Sequence, residues 1–163
     1  MTKKLNLSLE DNLVPNFFYL LQQGFMVKAQ VGFCKQLGVS PEYLEDRIQT
    51  IFLDGKPVDH VNSAIIEHGS TLALSAAMPG LLGATLRKGS YYAAMRSQIS
   101  YRKKTKLGPI QEGMVFLKLF NLLLGELGPD FLKRGIWLDG KILEDFFKGQ
   151  SNDFWAGCKA AGV

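Results

Sequence analysis

Cysteine and histidine are scarce in this chain, with two of each among 163 residues. Cys34 and Cys158 stand far apart and form no disulfide framework, so buried free thiols are the simplest reading. Neither His60 nor His68 lies at metal-ligand spacing from a cysteine, which removes the zinc motifs. Long apolar runs are missing too. The longest uncharged stretch, Gly69 to Leu86, is broken by Pro79-Gly80 and filled with small and hydroxyl residues, a poor composition for a membrane span. The N-terminal "MTKKLNLSLEDN" carries lysines without an apolar segment behind them, so a secretory leader is not expected and a cytoplasmic location is. No Walker loop, nucleophile elbow or dinucleotide fingerprint occurs, and no cofactor or metal is expected.

What is present suits a folded domain. Apolar residues make up 47% and charged residues 21%, close to ordinary globular usage, and the length can bury a core without staples. A single compact domain over 1–163 is expected, with 1–106 and 107–163 as sub-units. Leu5 to Leu9 alternates like a strand, "NFFYLLQQ" suggests a short helix closed by Gly24, and "FMVKAQV" a second strand. Ser40-Pro41 resembles a helix start, followed by "EYLEDR". "TLALSAAM" places Leu72, Leu74, Ala76 and Met78 on one strand face, and Pro79-Gly80 fits a type II turn. From there "LLGATLRKG" and "SYYAAMRSQISYR" alternate, Ala93, Met95 and Ile99 against Arg96, Gln98, Ser100 and Arg102, which predicts a half-exposed antiparallel sheet. "EGMVFLKLF" begins as a strand and passes into a helix with Leu119, Leu122, Leu123 and Leu127 at amphipathic spacing. The tail, with Phe146, Phe147, Phe154 and Trp155, is expected to pack back as one or two helical pieces.

A six-residue echo links the halves: "IFLDGK" from Ile51 returns as "IWLDGK" from Ile136. Each copy follows a predicted helix and carries an Asp-Gly turn signal. The match needs small gaps and is not sustained, so equal stacked repeats are excluded. Common strand-and-turn chemistry explains it more simply than duplication, and Lys56 and Lys141 are not assigned to catalysis.

The stretch "IQTIFLDGKPVDHVNSAIIEHGSTLALSAAMPG" resembles the final third of β-grasp domains, the ubiquitin-like group that includes the small sulfur carriers. With "FMVKAQV" and "EYLEDR" the likeness covers Gly24 to Gly80. It implies an α+β fold with a mostly antiparallel sheet, β-grasp-like in its first half, and a C-terminal helical segment packed on it. The carriers act through a terminal Gly-Gly, whereas Pro79-Gly80 is internal here, so that chemistry is not carried over. The same stretch is similar to the end of S4-type RNA-binding domains, but Glu42, Glu45 and Asp46 make the preceding helix acidic.

Charge is distributed unevenly. No acidic residue lies between Glu67 and Glu112, while Arg87, Lys88, Arg96, Arg102, Lys103, Lys104 and Lys106 fall in that interval. With a net charge of +4, these seven cations leave the rest of the chain at −3. Clustered cations attract anions, and Tyr91, Tyr92 and Tyr101 offer faces for stacking. The same charges also suit a sheet edge guarded against pairing. The function expected is non-enzymatic binding or adaptor work, with this basic sheet face meeting an acidic protein or small anion. The alternatives are a single-stranded nucleic-acid module, or an enzyme whose pocket gathers Asp59, His60 and His68. The small-residue run "LALSAAMPGLLGA" suits tight internal packing or, as the alternative, a self-associating face.

Overall fold

The computed structural model describes residues 1–9, 11–33, 39–102, 111–156 and 158–162. Strand β1 (Thr2–Leu9) leads through a 3-10 segment, Asp11–Phe17, into helix α1 (Phe18–Gln23). Gly24 closes α1 at φ +98°, where a Cβ would strike the Phe116 ring. Strand β2 (Phe25–Phe33) follows. Helix α2 (Pro41–Asp46) starts as the Ser-Pro step predicts: the Ser40 hydroxyl accepts from the Tyr43 amide, and proline fills the first position, where its missing N–H leaves nothing unsatisfied.

Strands β3 (Thr50–Leu53) and β4 (Lys56–Pro57) form the hairpin expected around Asp54-Gly55. Both turn residues have positive φ, 49° and 76°, the type I′ geometry that matches strand twist and that Asp-Gly tolerates. Then come β5 (Ile65–Ile66), β6 (Thr71–Ser75), α3 (Gly80–Leu86) and a 3-10 turn, Tyr91–Arg96. The last third comprises β7 (Gln111–Phe120), α4 (Leu123–Arg134), β8 (Ile136–Asp139), α5 (Gly140–Lys148), α6 (Asn152–Ala156) and β9 (Cys158–Gly162).

The protein is α+β. Its sheet runs in the order β4-β3-β6-β7-β2-β8-β1-β9, with β5 paired to β2. Among the described residues every ladder is antiparallel except β6–β7. One face is closed. Leu72, Leu74, Val115, Leu117, Leu119, Phe25, Val27, Ile136, Leu138, Leu5 and Leu7 are buried on it, and α1 and α4 pack there. Burying each such side chain is worth about 1.5–3 kcal/mol. Phe17, Phe146 and Phe154 extend this core with ring centroids 5.4–6.2 Å apart, so the tail packs back as expected. Strand β9 was not anticipated by the sequence pattern.

The largest correction concerns residues 80–102. The predicted half-exposed sheet is absent there: α3, the 3-10 turn and further turns replace it. The polarity is also inverted. Arg96 is 4% exposed, whereas Met95 and Ile99 are 75% and 59% exposed. The cause is topological: β6 and β7 lie side by side and parallel, and parallel neighbours need a long crossover, not a hairpin. The crossover passes the free side of β4, where the Tyr101 amide donates to Pro57 O at 2.7 Å. It thereby covers an edge that would otherwise present unpaired backbone.

Candidate functional site

Arg96 organises the inner side of this crossover. Its Nε donates to Thr85 O at 2.6 Å, its Nη1 to Asp59 Oδ2 at 3.1 Å and Ser100 Oγ at 2.6 Å, and its Nη2 to Asp59 Oδ1 at 2.7 Å and Arg87 O at 3.2 Å. Asp59 Oδ1 also accepts from the Gly89 amide at 3.0 Å. The fork of guanidinium donors suits such a cluster, since one planar group can hold a carboxylate and two carbonyls at once. Burial pushes the Asp59 carboxyl upward, but hydrogen bonds from Arg96 and Gly89 and the Arg96 and His60 charges outweigh it and hold the pKa below its ordinary value.

Beside this knot lies a hollow of about 370 Å³, within the range of small-ligand sites. Asp59, His60, Ser90, Ser97, Tyr101 and Arg102 are among its walls, with Ser63 and Ser100. Ser90 Oγ is buried and has no hydrogen-bond partner among the described residues. An orphaned hydroxyl in a polar concavity is a group that a guest can satisfy. Tyr101 is fixed at both ends, by its amide on Pro57 O and by its hydroxyl, which accepts from the Ile65 amide at 3.2 Å. Because Asp59 and Arg96 neutralise each other, Arg102 gives the hollow its excess positive charge.

Comparisons with known protein families, curated proteins and solved structures find no match. The site therefore rests on its own geometry.

Of the residues expected to form one anion-binding face, those that the structure describes lie in different surroundings. Tyr101 and Arg102 line the hollow. Arg96 sits beneath it, already saturated, so it is structural and not a contact residue. Lys88 is turned away: its Nζ donates to Leu44 O and Glu45 O at 2.5 and 2.6 Å, closing the C-terminal end of α2. Arg87 is exposed and outside the hollow. Tyr91 and Tyr92 pack edge to face, centroids 5.4 Å apart, and neither lines the cavity. Lys103, Lys104, Lys106 and Cys34 lie outside the described residues.

Of the groups weighed for an enzyme, Asp59 and His60 share the hollow, but His68 does not. Its Nδ1 accepts from the Met114 amide at 3.1 Å, beside β7. A carboxylate held ionised by a buried guanidinium is a weak general base. Among the described residues, no three His, Cys, Asp or Glu side chains come together as a metal site, and no helix is long and apolar enough to cross a membrane. Sequence reasoning missed Ser63, Ser90 and Ser97, ordinary loop serines that become wall groups only through the crossover. The Gly80-Leu-Leu-Gly83 step is helical. A Cβ at Gly83 would lie 1.8 Å from Met78 O, so that glycine serves close packing.

Proposed function

We propose that this protein is a non-enzymatic binding module whose hollow takes a small anion, with Arg102 supplying charge and Ser90 a hydroxyl. The observation that carries the reading is Ser90 Oγ, without a partner among the described residues, in a concavity that Arg102 also lines. The Arg96–Asp59 knot supports it as a rigid floor, since groups locked by their own hydrogen bonds give a guest little ordering to complete. A carboxylate or phosphate fits better than a cation, because Asp59, the carboxylate among the described wall residues, is already neutralised by Arg96.

We further infer a β-grasp-like relationship for the five-strand unit β4-β3-β6-β7-β2. In its favour are the strand, Asp-Gly turn, connecting stretch and strand of Thr50 to Ser75, and the short helix α2 ahead of them. This reading requires β7, from beyond Gly24 to Gly80, to supply the strand next to β6.

Titrating inorganic phosphate into isotope-labelled protein tests the anion reading. Saturable shifts of the Gly89, Ser90, Ser97 and Arg102 amides are expected, with affinity at least ~10-fold weaker in Arg102→Gln, the scale of a lost charged hydrogen bond. Linear, non-saturating shifts, or equal affinity in the variant, overturn it.

A further inference from the structure

The second face of the sheet has a different chemistry from the first. Strand alternation that buries Phe25, Val27, Val115, Leu117, Ile136 and Leu138 turns Met26, Lys28, Phe116, Lys118 and Trp137 the other way, and each of these remains partly or fully exposed. Register aligns them into a rung. Thr71 pairs with Phe116, Phe116 with Met26, Met26 with Trp137, and Trp137 with Lys4, so five strands present one continuous row. Phe116 and Trp137 are two strand spacings apart, about 10 Å.

Lysines flank the rings. Lys4 and Lys28 hold Nζ 5.2 and 5.9 Å from the Trp137 ring, and Lys118 holds Nζ 5.7 Å from Phe116. None of the three forms a salt bridge among the described residues. The row itself contains no carboxylate. On the same strand face Asp139 stands two residues beyond Trp137, but its Oδ1 already accepts from the Lys141 and Ile142 amides. At the far end of β7 is Glu112, paired with Gln30.

The face continues across Ala73, which pairs with Lys118 and with Phe52. There it deepens into an apolar groove of about 340 Å³ with Phe52, Met78, Phe120 and Asn121 among its walls. Helices α1 and α4 pack against the opposite face, and Leu143 of α5 and Phe154 of α6 are buried in that same core.

We propose that this second face binds single-stranded nucleic acid, independently of the hollow beside Arg102. Aromatic planes interleaved with unpaired ammonium groups match a polymer that alternates flat bases with phosphates. Base stacking on aromatics is tolerant of sequence, and phosphate contacts make the affinity salt-dependent. The groove at the Phe52 end is wide enough for one base to leave the row and insert. An acidic polypeptide would satisfy the lysines while leaving Phe116 and Trp137 without planar partners, so it is the weaker fit.

Two tryptophans occur in the chain, so the Trp155→Phe protein reports on Trp137 alone. Titration with oligo(dT) of about 15 nucleotides, and with oligo(U), is expected to quench Trp137 fluorescence saturably. With three phosphates engaged, log affinity falls with log salt at a slope of about −2, roughly tenfold or more between about 50 and about 200 mM. Phe116→Leu is expected to weaken binding about fivefold or more through lost stacking. The Lys4→Gln/Lys28→Gln/Lys118→Gln protein, whose melting curve and circular dichroism should be unchanged, is expected to lose the salt slope and at least ~10-fold in affinity. Arg102→Gln should bind as the parent does. Absence of quenching at low salt overturns the proposal. So does equal competition by poly-glutamate, which would make an acidic polypeptide the occupant, or a concentration-dependent dimer that shields Trp137, which would make it a second copy.

Discussion

Arg96 lies in "AAMRSQ", where nothing local distinguishes it from its exposed neighbours, and its carboxylate partner Asp59 is 37 residues away. Alternation assigns it outward because that rule describes strands, and the segment is not one. Its burial makes a sharp test of the knot. Arg96→Met should destabilise the fold by about 3–5 kcal/mol, since it strands a partly buried carboxylate, whereas adding Asp59→Asn to it should lose much less than the sum of the single changes. Urea denaturation of the three proteins measures this; additive losses would mean that the pair does not act as a unit. A second cross-link joins α2 to α4, where the Tyr43 hydroxyl and the Arg47 guanidinium both donate to the Glu126 carboxylate. The Arg47 and Tyr43 hydrogen bonds lower the Glu126 pKa to about 2. Burial first, and then the neighbouring carboxylate, raises that of Tyr43. A lowered carboxyl stabilises the fold fully above its unfolded pKa of about 4.5 and loses that contribution as pH falls toward about 2. The pair is substantially exposed, so solvent screening keeps the effect small. Glu126→Gln should therefore flatten the melting-temperature profile over this acid window and leave the profile above about pH 6 parallel to the parent's.

At the scale of elements, the echoed hexapeptide adopts two structures. Asp54 occupies a hairpin turn at φ 49°, and its Oδ1 accepts from the Thr71 amide at 2.7 Å. Asp139, at φ −61° and ψ 130°, caps α5. The letters specify that a strand ends at Asp-Gly. They do not specify whether the chain reverses or winds, because that depends on whether an antiparallel partner or an apolar helix face follows. Lys56-Pro57 continues as a strand, while Lys-Ile-Leu-Glu-Asp-Phe-Phe puts Leu143, Phe146 and Phe147 on one helical face toward the core. Asp139→Ala should cost about 1 kcal/mol of stability by thermal melt, the usual loss of an N-cap. Gly83→Ala should cost more, about 1–3 kcal/mol, since its methyl overlaps the Met78 carbonyl and α3 must shift. If that variant melts like the parent, the close approach of α3 to Met78 does not constrain the crossover.

For the whole molecule, one parallel ladder among antiparallel ones determines where the site can be. Because β6 and β7 run the same way, the intervening chain must travel around the sheet, and in doing so it builds the hollow from Asp59 on one side and Ser90 to Arg102 on the other. Its exposed Leu81, Leu82, Met95 and Ile99 indicate a segment less firmly packed than the strands. Amide hydrogen exchange should therefore be slowest in β2, β6 and β7 and markedly faster over α3 and the 3-10 turn. Uniform protection across Gly80 to Ser100 would contradict this layering. The sequence by itself determined the elements whose signals are local: the strands with one buried face, the Ser40-Pro41 helix start, the Asp54-Gly55 hairpin and the helical tail, each fixed by side-chain period or turn chemistry within a few residues. It also located the block of cations. Only the tertiary structure decided that Arg96 is buried, that Lys88 closes α2 and that Arg87 and Arg102 are exposed, and that β7 inserts between β6 and β2, because strand order and ion pairing join residues tens of positions apart and leave no periodic trace in the chain.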